Sequence, residues 1–96
     1  MSVLTIVARI ETNKDHVELV KSELLKLIAP TRKEQGCLQY DLHQDNQRPE
    51  VFVFYERWES KALLETHLAS AHITAYLKAT AGAVESFVIS EMTKLA

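Results

Sequence analysis

Hydrophobic and polar residues follow two different periods along the chain, and the changes between them divide it into elements. Apolar, β-branched residues dominate positions 3–10, which predicts a first strand. From 17 to 28 apolar residues instead recur every three or four positions, as on one face of a helix. Asn13 is expected to cap this helix. Pro30 is expected to disrupt it or to begin a short second piece, and Gly36 to end it.

Residues 37–44 alternate strictly between apolar and polar, as a half-exposed strand does, and they begin a predicted hairpin. In 37–44 every second side chain is apolar and the intervening ones are polar, which predicts a second strand. The segment 45–49 is rich in turn-forming residues. Residues 51–58 then return as a third strand, so the two strands are expected to pair.

Helical spacing resumes after the hairpin. Ser60 and Ser70 are expected to cap two helical pieces, Gly82 to end the second, and 85–93 to form the last strand. The order β-α-β-β-α-β, with right-handed crossovers, predicts an α+β, ferredoxin-like fold. Its four-stranded antiparallel sheet has strands one and three in the middle and helices over one face. The 96 residues are expected to form one domain.

The two central strands are apolar in both registers. Ile6 and Phe54 point to one side, while Val7, Val53 and Tyr55 point to the other. An exposed apolar sheet face of this kind usually marks an interface. The simplest cover is a second copy meeting it face to face, and burying about 600–800 Å² per subunit would match a standard specific interface. The sequence therefore predicts a homodimer formed through the sheet.

Composition and charge narrow the classes of function. Apolar residues make up 47% of the chain and charged residues 25%, with a formal net charge of −2, so nucleic acid is not an expected partner. An RNA-recognition domain shares the element order, but strand three lacks its glycine and basic positions. A lone cysteine, Cys37, and the absence of a leader-like or membrane-spanning apolar run predict a cytoplasmic protein without membrane contact.

Two histidines are candidates for acid–base chemistry. His67 lies on the inward stripe, either as a buried neutral histidine with one hydrogen bond or as an acid–base group between helix and sheet. His72 would lie in a first helical turn, where the dipole keeps the ring neutral and able to accept a proton, unless it is a surface residue. Five positions apart, the two rings would point roughly 140° away from each other on a continuous helix. No metal site is therefore expected.

Glu56 is the candidate carboxylate, because it shares a register with Phe54 and Trp58. If that register faces the helices, Glu56 is buried beside the histidines. It needs a partner there, and the alternatives are a structural salt bridge with Arg9 or Arg57 and a catalytic role. Trp58 either walls a pocket for a flat substrate or is a plain core residue. The other candidate substrate-binding residues are Tyr40, Phe54 and Tyr76. The charged run 32–34 is assigned to an outer helix face, without a function.

Three stretches of the chain resemble the antibiotic biosynthesis monooxygenase (ABM) domain family. They are Glu-Gln-Gly-Cys-Leu-Gln-Tyr at 34–40, Tyr-Glu-Arg-Trp-Glu-Ser at 55–60, and Leu-Glu-Thr-His-Leu at 64–68, which leads to His-Ile-Thr-Ala-Tyr at 72–76. The likeness covers essentially the whole chain. It is greatest to small bacterial members described as quinol monooxygenases.

The resemblance implies a dimeric α+β barrel made from two face-to-face sheets, and oxygenases that use neither metal nor flavin on quinols or phenolic polyketides. A related branch isomerises a phosphorylated sugar derivative. Another degrades haem with an asparagine for which strand one offers only Ala8 or Arg9. The expected function is a cofactor-independent monooxygenase of a small quinol or phenol and dioxygen. An isomerase of a phosphorylated hydroxy-ketone and a non-catalytic ligand-binding or stress-related module are the alternatives.

The expected mechanism begins when a substrate hydroxyl loses its proton to His72 or His67. The electron-rich anion then reduces dioxygen directly. Glu56 would orient the histidine, and Trp58 would stack on the substrate ring.

Overall fold

The computed structural model describes residues 3–96, and it has the predicted order of strands with each predicted helix split in two. The elements are β1 (Leu4–Thr12), α1 (Val17–Leu25), α2 (Ile28–Arg32), β2 (Cys37–Gln44), β3 (Val51–Trp58), α3 (Lys61–Leu68), α4 (Ala71–Ala79) and β4 (Val84–Met92). The strands form a 4-stranded sheet in the order β2-β3-β1-β4, and every pairing is antiparallel. The predicted ferredoxin-like fold, with strands one and three in the centre, is confirmed.

The first helical region starts later than its sequence pattern predicts. Asn13 does not cap a helix; its side-chain oxygen instead accepts hydrogen bonds from the backbone N–H of Asp15, at 3.1 Å, and from the ring of His16, at 2.6 Å. This local turn uses the oxygen that a helix cap would need, and α1 begins only at Val17. Pro30 lies in the first turn of α2, where its missing N–H costs no helical hydrogen bond.

Both serine caps of the second helical region are confirmed. Ser60 Oγ accepts a hydrogen bond from the backbone N–H of Leu63 at 3.3 Å, and Ser70 Oγ accepts one from that of Ile73 at 3.4 Å. The chain therefore ends one helix and starts another between residues 68 and 71. The direction of the side chains on α4 is set independently of α3.

Gly36 lies where β2 begins, close against α3. Its φ of +84° is left-handed, and an added Cβ would collide with the side chain of Leu63. A residue other than glycine would be strained there both by its backbone and by its neighbour. The carbonyl of Gly36 also accepts a hydrogen bond from the N–H of Glu59 at 2.9 Å, which ties this turn to the end of β3.

The two faces of the sheet have different surroundings. The helices cover one face and bury its apolar side chains, which include Ile6, Ala8, Ile10, Phe52, Phe54 and Trp58. On the other face Val7, Val53 and Tyr55 are only half-buried, while Val88 and Met92 of β4 are 50% and 47% exposed. The centre of this open face is apolar as predicted, and polar side chains such as those of Gln39, Asp41 and Arg57 surround it. None of the helices in residues 3–96 has the length and apolar character needed to cross a membrane.

Candidate active site

A cavity of about 260 Å³ lies between the helices and the covered face of the sheet. Most of its walls are aliphatic or aromatic, and the lining residues with polar groups are Tyr40, Glu56, His67 and Tyr76. Within 3–96 no lysine or arginine lines it. Leu77 of α4 and Phe87 of β4 lie on its wall and are 56% and 53% exposed, which marks the side on which the cavity opens.

Glu34 connects the two candidate histidines. Its Oε2 lies 2.6 Å from Nδ1 of His67 and 2.8 Å from Nε2 of His72. A carboxylate can only accept, so these two ring nitrogens carry the hydrogens. The hydrogen on Nδ1 of neutral His67 leaves its Nε2 with a lone pair. The side chains of His67, Glu34 and His72 are 2%, 16% and 23% exposed.

The break between α3 and α4 brings the histidines together, and the prediction that they point far apart is wrong. That prediction assumed a continuous helix, whereas the chain turns at Ala69 and Ser70. The three ligand-type atoms of Glu34, His67 and His72 lie within 4.8 Å of one another, a spacing compatible with a divalent cation. Hydrogen bonds to Glu34 already satisfy both nitrogens, so the arrangement needs no ion to be stable.

The turn after α2 places Glu34. Its backbone N–H donates to the carbonyl of Thr31 at 3.0 Å, and its own carbonyl accepts from the N–H of Cys37 at 3.2 Å. The assignment of the run 32–34 to an outer helix face is therefore wrong for Glu34. The sequence did carry a signal, because Glu34 begins the stretch 34–40 that resembles the family and lies two residues before Gly36.

Glu56 is buried in β3 and has a different partner from those predicted. Its Oε1 accepts a hydrogen bond from Nε1 of Trp58 at 2.8 Å. Arg9 pairs with Glu11 and Arg57 with Gln39, so the predicted salt bridge to either arginine is wrong. Burial raises the pKa of Glu56 to about 7, although the Trp58 hydrogen bond opposes this.

Burial shifts the pKa of His67 in the opposite direction to that of Glu56. Burial lowers its pKa because the imidazolium loses solvation, and the hydrogen bond to Glu34 only partly offsets this. His67 is therefore a neutral proton acceptor at neutral pH. Among the residues that the structure describes, neither Nε2 of His67 nor Oε2 of Glu56 has a hydrogen-bond partner, and neither atom is fully buried. Both residues line the cavity, which is the accessible space next to them.

Aromatic rings line or support the cavity. Tyr40 stacks on Phe54 with ring centroids 4.5 Å apart and meets His67 edge-on at 5.5 Å. Burial raises the pKa of Tyr40, so its hydroxyl stays protonated. Tyr76 also lines the cavity, whereas Trp58 is fully buried and does not line it. The Trp58 ring lies 4.8 Å from that of His67 and supports the wall from behind.

The candidate residues therefore form two groups. His67, Glu56, Tyr40, Phe54 and Tyr76 face the cavity, while His72 lies on a smaller pocket beyond Tyr76 and reaches the site through Glu34. A neutral imidazole and a carboxyl group that holds its proton near neutrality can take up and give back protons in a space with few competing polar groups.

Comparison with known proteins places the chain among a set of small monooxygenase-like proteins. The family model for "Antibiotic biosynthesis monooxygenase" matches residues 3–79. The Escherichia coli protein named "Probable quinol monooxygenase YgiN" is 34% identical over 91 residues, which cover 84% of this chain and 88% of that protein.

Solved structures are similar over nearly the full length. The crystal structure of PA3566 from Pseudomonas aeruginosa superposes with a TM-score of 0.95 at 35% identity, covering 100% of this chain and 97% of that one. The structure of Rv0793 from Mycobacterium tuberculosis superposes with a TM-score of 0.89 at 26% identity, covering 99% and 97%.

Proposed function

This chain belongs to the antibiotic biosynthesis monooxygenase family, and on that premise we propose that it is a cofactor-independent monooxygenase of a small quinol or phenol. The observation that carries the proposal is the position of His67. Its ring lies on an apolar cavity, Glu34 holds its Nδ1–H at 2.6 Å, and its Nε2 has no partner within residues 3–96. This is the arrangement expected of a general base.

The lining of the cavity supports a flat aromatic substrate. Its volume of about 260 Å³ and its aromatic walls suit a one- or two-ring compound whose hydroxyl points towards His67. A phosphorylated substrate is less well suited, because this chain offers no lysine or arginine on the described walls. The lining thus favours oxygenation of a quinol over isomerisation of a phosphorylated hydroxy-ketone.

In the proposed reaction Nε2 of His67 removes the proton of a substrate hydroxyl. The anion is electron-rich enough to reduce dioxygen directly, so the substrate supplies the electrons. For a quinol, the overall change is quinol plus dioxygen to hydroxyquinone plus water, with all four electrons coming from the substrate. Glu34 stabilises and orients the imidazolium that forms, and the apolar walls exclude bulk water.

The test is oxygen uptake with a panel of quinols and anthrones, comparing the wild type with His67→Gln. We expect kcat/KM to fall by roughly 10²-fold or more, because a positioned base usually contributes that much. His16→Gln is the matched control, since His16 is exposed and does not line the cavity. A change within about twofold in His67→Gln would contradict the assignment. Turnover without oxygen would indicate the isomerase, and tight binding without a product would indicate a binding module.

We also propose that the open sheet face pairs with a second copy of the chain. Val7, Val53 and Tyr55 form its apolar centre, and polar side chains form its rim, as in a typical protein interface. In sedimentation velocity at micromolar concentration we expect a dimer that Val53→Lys converts to a monomer, because a buried lysine would lack a partner. Leu25→Lys, at an exposed position on α1, is the control. A wild-type monomer would contradict the proposal.

A further inference from the structure

Glu56 is a carboxyl group on the cavity wall that the proposed base mechanism leaves unused. Its Oε1 is held by Trp58, while its Oε2 has no hydrogen-bond partner in the described part of the chain. Only 4% of the Glu56 residue is exposed to solvent. No lysine or arginine on the described walls compensates a negative charge there.

The titratable groups around Glu56 all discourage its ionised form or leave it unchanged. Tyr40 and Cys37 of β2 and His67 of α3 are neutral at neutral pH, because burial raises the pKa of Tyr40 and of Cys37 and lowers that of His67. Glu34 adds a further acidic group nearby, which also raises the pKa of Glu56. The strands β1 and β4 contribute only apolar side chains to this wall, such as Ile6 and Ile89.

One group that can accept a proton and one group that can donate a proton therefore face the same cavity. Neutral His67 can accept a proton at Nε2, and neutral Glu56 can donate one from its carboxyl. Environments that separate two titratable groups in this way usually separate the base of a reaction from its acid.

We propose that neutral Glu56 is the catalytic acid, which protonates the outer oxygen of a substrate-bound peroxide so that this oxygen leaves as water. The inference rests on the proposed monooxygenase function. Glu56 thus does not orient the histidine, a role that Glu34 fills by direct contact.

The protons and electrons balance for a phenolic substrate. After His67 has removed the hydroxyl proton, the anion gives one electron to dioxygen, and the two radicals join to form a C–O bond on a ring carbon. Glu56 gives its proton to the outer oxygen, which makes a hydroperoxide. The Glu56 carboxylate then takes the hydrogen of that ring carbon as a proton, the C–H electron pair forms C=O, and the O–O bond breaks to release hydroxide. The proton held by His67 turns this hydroxide into water, so both side chains return to their starting states.

A first test measures the proton on Glu56 without any substrate. In the infrared spectrum of the full-length wild type, we expect the carbonyl band of a protonated carboxyl to persist to a pH near 7, consistent with the pKa of about 7. Trp58→Phe removes the hydrogen bond and should shift this band, which assigns it to Glu56. If the band has already disappeared when the pH is raised to about 5, as it would for an ordinary glutamate, the proposal is overturned. This measurement does not depend on whether a Glu56 variant folds.

A second test follows the fate of oxygen in Glu56→Gln. Glutamine keeps the size and the acceptor for Trp58 but cannot transfer a proton. We expect oxygen still to be consumed while the product formed per oxygen falls by roughly tenfold and hydrogen peroxide appears instead, because the acid step is lost. Glu65→Gln, exposed on α3, is the matched control and should keep the wild-type ratio.

The outcomes separate the two proposals. Oxygen uptake by the wild type with an unchanged product ratio in Glu56→Gln would overturn the role of Glu56 and leave the monooxygenase standing. No oxygen uptake by the wild type with any quinol, anthrone or phenol would overturn both. A simple structural role for Glu56 would lower the rate without producing hydrogen peroxide.

Discussion

Glu34 and Glu56 are two carboxylates at one cavity, and their surroundings differ completely. Glu34 lies on a turn, partly reached by solvent, and accepts hydrogen bonds from two imidazoles at 2.6 and 2.8 Å. Glu56 lies in the central strand β3 among aromatic rings and accepts one hydrogen bond, from an indole, at 2.8 Å. The hydrogen-bond partners of Glu34 can become cations, whereas the hydrogen-bond partner of Glu56 cannot.

The difference shows how identical side chains acquire different chemical roles. An imidazolium formed on His67 is stabilised directly by its hydrogen bond to Glu34. The indole of Trp58 can never carry the compensating charge, so burial dominates and the pKa of Glu56 rises to about 7. We therefore infer that Glu34 positions the base while Glu56 holds a proton.

The largest effect should appear in the pH dependence of stability. Because the pKa of Glu56 is about 7 in the folded chain against an ordinary value of 4.5, the folded state keeps a proton that the unfolded chain has released. The loss of folding stability caused by ionising Glu56 is absent below about pH 4.5 and complete above about pH 7. Relative to Glu56→Gln, the wild type should thus lose roughly 2–3 kcal/mol of unfolding free energy between pH 5 and 8.

Urea unfolding followed by the fluorescence of Trp58, at one protein concentration, measures this difference. Glu65→Gln serves as the control and should follow the wild type at every pH. Parallel curves for the wild type and Glu56→Gln would mean that Glu56 is ionised like an ordinary surface glutamate, and the contrast with Glu34 would disappear.

A smaller effect is expected on the other side of the comparison. Glu34→Gln keeps an acceptor for Nδ1 of His67 but removes the charge that stabilises the imidazolium, so kcat for oxygen uptake should fall by roughly tenfold with little change in KM. In His72→Gln the kcat should fall less, by about threefold at most, because His72 acts only through Glu34. If His72→Gln instead lowers kcat as far as His67→Gln does, then His72 is the base and the present assignment of the two histidines is wrong.

Local sequence patterns predicted the elements well wherever one hydrogen bond or one period decides the structure. The hairpin of β2 and β3, the caps at Ser60 and Ser70, and the central position of β1 and β3 are all confirmed. Asn13 failed as a cap because its side chain is used in a tighter local turn. Both outcomes depend on short polar side chains that can bond to either of two nearby backbone groups.

The sequence by itself placed His67 on the inward stripe of its helix and Glu56 in the register of Phe54 and Trp58, since periods of 3.6 and 2 assign each side chain to a face. The tertiary structure decided that this register faces the helices, because both registers of the strand are apolar. Only the tertiary structure decided their partners. Glu34 reaches His67 across 33 positions and His72 across 38, through a glycine turn packed on α3 and a helix that restarts at Ser70. A hydrogen bond needs its atoms within about 3 Å, and no periodicity fixes the distance between distant segments; packing does.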